Sequence, residues 1–472
     1  MCEKKMTGRE ILSDPVRYFM TYSLCKKGAA LLLALLTAAY FVLILKLCGA
    51  MAGVFAVSLC AAVCCALTTC FAWHAVSLEE KRPPVTVLLC LAALSMLAVG
   101  AHISLLDITP GRYTNTLKPL FDEMWNYELV TAMAWEDDGW SGLYLIVCAL
   151  ISRLENFSQL YAVKLFDLVC HCFAAGAVLK LALLRGAKPG GAIAAMFAAL
   201  IAPTMLFNAG VWAQCDATFA ALTLWGLYAL LKDRPLAGCV LWGLALAAKL
   251  QSAFLFPLLI VLFMKNRVQI RHILALAAAA FVSQIAILLD GQDLYAMISR
   301  YAVQLDIARW GDVGLSDNMP NVYKLMNVAS VREFSGMGLY LGVACALLVV
   351  CALLRAKRPL SCDTLMLAGL LLACGLPLIL PQMNARSLYL AGLLAFACAN
   401  SPRRMAAAGL LEFISISAYM VSIFNSEVMP MIPLSLLAIA AAVLVLTELL
   451  PALTGGADKE GRAHAEANGI GA

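Results

Sequence analysis

Two polar knots sit at the mouths of apolar segments between Trp212 and Pro257. The first is Trp212-Ala213-Gln214-Cys215-Asp216, and the second is Lys249-Leu250-Gln251. The apolar stretches between them are joined by Lys232-Asp233-Arg234-Pro235. If that basic turn is cytosolic, both knots face the other side and can share one site. A carboxylate within reach of a hydroxyl can take its proton. A Lys or Arg nearby can hold a phosphate leaving group, Arg bidentately. Together these groups suit group transfer from a lipid-linked phosphate donor at a membrane surface. Each residue also has a plainer reading. Asp216 can be solvated or can cap the following helix. Lys249 can snorkel from a helix end. Trp212 can rest in the headgroup layer, as tryptophans do.

The elements that would position these residues are apolar. The chain has 472 residues, of which 63% are hydrophobic and 13% charged. Ordinary soluble domains carry about 25% charged residues. The composition therefore describes a polytopic membrane protein. The net charge of +5 is spread in short basic clusters between apolar runs, which excludes a nucleic-acid surface. Nearly all of the 18 cysteines lie inside apolar runs, and no Cys-x-x-Cys zinc spacing occurs. They read as small membrane residues, with no disulfide framework and no metal site. Phosphate-binding Gly-rich loops and the common hydrolase and zinc-protease motifs are missing.

Apolar runs recur near 28–48, 52–77, 84–106, 160–184, 190–208, 216–231, 236–250, 252–264, 272–289, 338–355, 362–380, 388–400, 405–424 and 431–450. They predict an all-α bundle of about fourteen spans, because strand alternation is absent. With both termini cytosolic, the connections at 79–84, 185–191, 232–235, 265–272, 355–359 and 401–404 are all basic or mixed basic. The other side then receives loops 107–159 and 290–337, rich in Asp, Glu and Trp. That alternation requires 141–154 to lie at the outer interface as an amphipathic helix. The chain divides into a cytosolic segment 1–27, helices over 28–106, the loop 107–159, a central module 160–289 carrying both knots, the loop 290–337, helices over 338–450, and a disordered cytosolic tail 451–472. Outer loops this long are commonly functional. A short third connection, 380–389, puts Arg386 at a helix mouth. Lys164 and Asp167, three residues apart, are spaced as an intrahelical pair. His171, inside an apolar run, is expected to make a hydrogen bond within the bundle.

These stretches resemble the GT-C superfamily of integral membrane glycosyltransferases. Within it the chain is similar to bacterial relatives of the second mannosyltransferase of glycosylphosphatidylinositol assembly. WAQCDATF resembles that group's Trp-Gly-Gln-Cys-Asp-Ser, and KLQSAFLFP its Lys-Leu-Gln-x-x-Phe-x-x-Pro. LSDNMPNVYKL, with Asn318, Asn321 and Tyr323, resembles its Asn-x-Pro-Asn-x-Tyr segment. YAVKLFDLV resembles the group's Lys-containing helix, and SGLYLIVCALIS its interfacial helix. The matches keep their order over roughly 107–400.

The resemblance implies many helices with extracytoplasmic juxtamembrane helices, a polyprenyl-phosphate sugar donor and no nucleotide or other cofactor. It also implies inversion at the sugar carbon, with an acid of the first outer loop as base. Three of the motifs depart from the pattern. Where the group reads Ser-Gly-Asp-Tyr, this chain has Pro110-Gly111-Arg112-Tyr113, so an Arg replaces the acid. Where it reads Pro-x-Met-His-Glu-Arg-Tyr, this chain has Pro381-Gln382-Met383-Asn384-Ala385-Arg386-Ser387, which keeps only the Arg of the polar triplet. His171 stands where an Asp is expected.

The expectation is a multi-pass cell-membrane glycosyltransferase that moves a hexose such as mannose to an extracytoplasmic glycan, lipid or protein. Asp107 or Asp122 would act as base. Trp212, Gln214, Asp216, Lys249, Gln251, Asn318, Asn321, Tyr323 and Arg386 would bind substrate. The alternatives are a non-catalytic relative that binds a lipid-linked sugar or a partner, and a lipid or solute transporter.

Overall fold

The long apolar runs fold as helices, which satisfy their own backbone where water is absent. The computed structural model describes residues 37, 39–44, 53–80, 83–135, 141–305, 314–326, 331–356 and 359–454. Residues 39–44 are helical. Next come α1 (Val54–Glu79), α2 (Val85–Ile103), a π-helical turn at Tyr113–Leu117, α3 (Lys118–Trp125), α4 (Leu129–Met133) and α5 (Gly142–Ser152). They lead into α6 (Gln159–Leu184), α7 (Pro189–Ile201) and α8 (Pro203–Leu206), which continues as a π-helical turn, Phe207–Val211. The central module follows with α9 (Asp216–Leu231), α10 (Pro235–Ala248), a 3-10 turn at Leu250–Leu255, α11 (Pro257–Met264), α12 (Ile270–Val282), α13 (Ile285–Leu289) and α14 (Leu294–Leu305). After β1 (Ser316–Asp317) and a turn at Val322–Lys324 come α15 (Val331–Leu354) and α16 (Cys362–Ile379). The chain closes with β2 (Met383–Asn384), a turn at Ala385–Leu388, α17 (Tyr389–Cys398), α18 (Pro402–Phe424) and α19 (Met431–Thr454).

Among the described residues, seven helices are long and apolar enough to cross a membrane: α1, α2, α6, α15 from Phe334, α16, α18 and α19. The pair α7 and α8, bent by 43°, makes an eighth if it is one span. The other expected runs form shorter helices. α9, with 16 residues, is about 24 Å long against a hydrocarbon core of about 30 Å. α5 has 11 residues and is shorter still. The predicted run 272–289 is interrupted at Ser283–Gln284, and the run 190–208 at Ala202. α19 continues through Pro451 to Thr454, so the last helix takes in the first four residues expected in the tail. The segment 1–27, the rest of the tail and most of the run 28–48 lie outside the described residues. So do Glu136, Asp137, Asp138, Asp306, Arg309 and Asp312.

The central module is built by close helix contact. α6 packs on α9, α9 on α10, and α10 on α12. Gly226 of α9 faces Trp242 of α10, where a Cβ would collide with the indole. The buried Trp242 Nε1 donates to Thr223 O at 2.9 Å. One apolar core runs through α6, α9, α10 and α16–α19. A second joins α1, α2, α6 and α7. A third holds α3–α5 over the start of α6 and Ala213.

Charged groups collect at both ends of this bundle. At the end of α6, Arg185 meets Asp363 of α16, and Arg404 of α18 binds Asp363 through two nitrogens at 2.7 and 2.9 Å. Arg404 also reaches Glu448 of α19 at 2.9 Å. The Lys232–Pro235 turn joins the 265–271 connection through Arg267 and Asp233. The connections 185–191 and 401–404 thus share one end, and Lys232 lies near Lys180 in the last turns of α6, which brings the 232–235 turn to the same end. The knots at Asp216 and Lys249 lie at the other, beside α3–α5.

Candidate functional site

The first knot follows a broken helix. Pro203 has no N–H to offer Ala199, so that carbonyl loses its partner one turn on. His171 supplies one instead, its Nε2 lying 3.1 Å from Ala199 O. The Thr204 amide turns to Glu412 Oε1 at 2.6 Å, and His102 Nε2 meets Leu200 O at 2.9 Å. The break therefore leaves none of these backbone groups orphaned. It aims the chain 203–211 across the bundle mouth. Asn208 O then accepts from Gln214 N at 2.9 Å, and Ala213 adopts the left-handed conformation at φ 53°. Gln214 and Asp216 are both buried as a result.

Asp216 begins α9 but does not cap it. The Ala217 amide goes to Asp167 Oδ1 at 3.3 Å. Asp216 Oδ2 accepts from Asn208 Nδ2 at 2.9 Å, and Asn208 also reaches Tyr419 Oη at 2.9 Å. Asp216 Oδ1 receives Lys249 Nζ at 2.5 Å. Lys249 is extended between α10 and the next turn, with its ammonium 5.2 Å from the Phe219 ring centre. The Oγ of Ser141, at the start of α5, donates to the neighbouring Ala248 O at 2.5 Å.

Two guanidinium groups complete the cluster. Arg386 Nη1 donates to Gln214 Oε1 at 2.5 Å and stands 3.5 Å from Asp216 Oδ1. Its guanidinium lies 5.4 Å from the Trp212 ring centre. Arg112 Nη1 donates to the same Gln214 Oε1. Burial, and then the neighbouring Arg386 charge, push the Arg112 pKa below its usual value. It stays protonated regardless, because a guanidinium does not lose its proton in proteins. Tyr144 of α5 shares this corner, where burial raises its phenol well above the usual range.

Three cations thus surround one carboxylate and one carboxamide, an excess of two positive charges among these groups. Such a cluster is suited to an anion with several oxygens. Beside it, an apolar seam between α5, α6 and α9 is lined by Leu143, Tyr144, Val147, Phe166, Cys215 and Thr218. At about 20 Å³ it is too narrow for a lipid chain in this conformation.

The structure brings together Trp212, Gln214, Asp216, Lys249 and Arg386. Gln251 joins at one remove, its Nε2 donating to Ser387 Oγ at 3.1 Å. Asn318, Asn321 and Tyr323 lie against the connection that carries Arg386 and do not touch the cluster. Asp107 and Asp122 are elsewhere. Asp107 sits on an exposed turn and accepts from Tyr161 Oη. Asp122 pairs with Lys118 on the exposed face of α3. The expected Lys164–Asp167 pair does not form. Lys164 Nζ instead donates to the carbonyls of Leu105, Leu106 and Ile108 at 2.7, 3.0 and 2.6 Å, closing the end of α2.

Arg112, Asn208 and Tyr419 were not among the expected site residues. Arg112 had a signal, since the resemblance puts an acid at its position. Asn208 had a weaker one, a polar side chain within an apolar run. Among the described residues, no three His, Cys, Asp or Glu side chains converge as a metal site. No protein-family model matches the chain, and no curated protein matches it.

Proposed function

We propose that this protein is a membrane glycosyltransferase that moves a hexose from a polyprenyl phosphate to an extracytoplasmic acceptor. The observation that carries the proposal is the triad of Arg112, Lys249 and Arg386 around Gln214 and Asp216. A phosphodiester-linked sugar carries one negative charge, and the departing phosphate carries about two. The excess of two positive charges in the cluster therefore favours the departing state over the ground state. That is the condition for lowering the barrier rather than only binding substrate.

In the reaction, an acceptor oxygen forms a bond to the anomeric carbon while the bond from that carbon to the phosphate oxygen breaks. The electron pair leaves with the phosphate. The acceptor proton passes to a carboxylate, for which Asp107 and Asp122 are the first-loop candidates. Both have other partners here. Base function requires one of them to exchange its partner for the acceptor when substrate binds. Asp216 keeps Lys249 and Arg386 oriented, and Trp212 flanks the guanidinium.

A second reading is a non-catalytic protein that keeps a lipid-linked phosphate and performs no transfer. The positions of Asp107 and Asp122, away from the cluster, favour it. The two readings separate in one preparation. Purified protein in nanodiscs is given a panel of polyprenyl-phosphate sugars with candidate acceptors, and release of polyprenyl phosphate is followed alongside donor binding. Sugar-specific release, lowered in Asp216→Asn and Asp107→Asn, is the expected result. Donor binding with no release under any condition would favour the second reading, and no binding would end both.

A further inference from the structure

Arg386 is held by a segment distant in sequence. Leu315 O accepts from Gln382 N at 2.8 Å, and β1 pairs with β2 in parallel, Ser316 with Met383 and Asp317 with Asn384. Asn318 bridges to the same Asn384. Asn384 Oδ1 then accepts from Arg386 N at 3.1 Å and from Ser387 Oγ at 3.4 Å. A few residues on, Asn321 Oδ1 accepts from Tyr323 N at 3.2 Å and closes a tight turn. That turn sends the Tyr323 phenol between α15 and α16, where its Oη donates to Ile379 O at 2.6 Å. Ile379 is the last residue of α16, so its carbonyl has no partner within the helix. A Cβ at Gly338 of α15 would collide with the Tyr323 hydroxyl, so glycine leaves the phenol its path.

Gln382 and Asn318 lie at opposite ends of this pairing, Gln382 beside Leu315 and Asn318 beside Asn384, and both are left-handed, with φ of 59° and 54°. Side chains other than glycine rarely adopt that conformation, and it persists where surrounding contacts impose it. One of them precedes β2 within the connection that delivers Arg386, and the other follows β1 in the partner segment.

We propose that residues 315–324 form a clamp that aims Arg386 at Gln214 and Asp216. Asn318, Asn321 and Tyr323 are then positioning residues, setting how tightly the cluster holds an anion without touching it. The effect on anion affinity rests on the phosphate reading above, whereas the aiming of Arg386 does not.

Two measurements on the full chain in nanodiscs test this. The first is the rate of phenylglyoxal labelling at Arg386, read by mass spectrometry, with Arg185 and Arg404 as internal references. Tyr323→Phe removes only the phenol hydroxyl, and Gly338→Ala displaces it. Each is expected to raise the Arg386 rate about fivefold, the equivalent of one hydrogen bond, with the references unchanged. Unchanged labelling at Arg386 would overturn the clamp. Equal rises at all three arginines would also overturn it, by showing general loosening.

The second measurement is binding of undecaprenyl phosphate. Tyr323→Phe should weaken it about fivefold in the wild-type background and not at all in Arg386→Ala. Equal weakening in both backgrounds would show that Tyr323 does not act through Arg386. Wild-type protein that ignores undecaprenyl phosphate, yet shows selective labelling, would remove the phosphate reading and keep the clamp.

Discussion

Arg112 and Arg386 donate to the same atom, Oε1 of Gln214, from positions 274 residues apart in the chain. Two like charges gathered on one neutral oxygen repel each other, and an anion placed between them removes that repulsion. Gln214 accepts both without cancelling either. Gln214→Glu would place a carboxylate there and occupy both guanidinium groups. We expect a more stable protein, with thermal unfolding raised by a few degrees, and binding of polyprenyl phosphate weakened at least about tenfold, or about 1.4 kcal/mol. Scanning fluorimetry and a lipid-binding titration measure the two effects. Tighter binding in Gln214→Glu would contradict an anion site.

Lys249 and Asp216 form a largely buried pair, with side chains 22% and 4% exposed. Removing one partner of a fully buried pair typically costs about 3–5 kcal/mol, but Asp216 without Lys249 keeps Arg386 at 3.5 Å. Lys249→Met should therefore destabilise the protein by less than that full penalty. Asp216→Asn with Lys249→Met should recover much of the loss, because no charge is then stranded at this pair. A double-mutant cycle by chemical denaturation reads the coupling. Strict additivity would mean that the pair is not coupled in solution.

Ala213 is fully buried and left-handed, inside the motif that presents Gln214. That conformation costs an L-residue about 1–2 kcal/mol. Ala213→Gly should leave stability nearly unchanged, since relief of strain is offset by the freedom glycine gains when unfolded. Ala213→Val should destabilise by more than about 2 kcal/mol, because a β-branched residue is disfavoured there and no space is open to it. Equal stabilities for the two variants would show that the turn is not held in this form.

The helix break at Ala202 depends on polar side chains from three other helices. Glu412→Gln retains an oxygen for the Thr204 amide and should be mild. Glu412→Leu removes it and should cost about 1–3 kcal/mol, the usual penalty for a buried donor left unpaired. His102→Phe should cost a similar amount by stranding Leu200 O. Hydrogen exchange at 199–216 reports the effect locally. Protection should fall there first, and if exchange rises uniformly instead, the break is not the element these residues support.

Much of the scaffold is legible in the sequence. Apolar runs mark the helices, because a backbone without water must satisfy itself. Helix ends are less legible. The break at Ala202 requires Pro203 together with His102, His171 and Glu412, and only their convergence makes the bend tolerable. The interruption at Ser283–Gln284 likewise carries no proline or glycine to announce it. Lys164 and Asp167 have the spacing of a pair, yet each finds better partners on other elements. Spacing along one helix states which residues are neighbours, not which neighbours win.

For the site, the residue types set the chemistry available. Gln214, Asp216, Lys249 and Arg386 are polar residues at the ends of apolar stretches, where each needs water or a partner. Helix packing sets which of them meet. Asp216 and Lys249 belong to an adjacent pair of helices, so their meeting follows from one hairpin. Arg112 and Arg386 reach Gln214 across 102 and 172 residues, which no local pattern encodes. Asp107 and Asp122 show the converse: acidic residues in the expected loop, held off by Tyr161 and Lys118. Side-chain type is fixed residue by residue. The direction in which a side chain points depends on how helices pack and where they break, and that is a property of the whole fold.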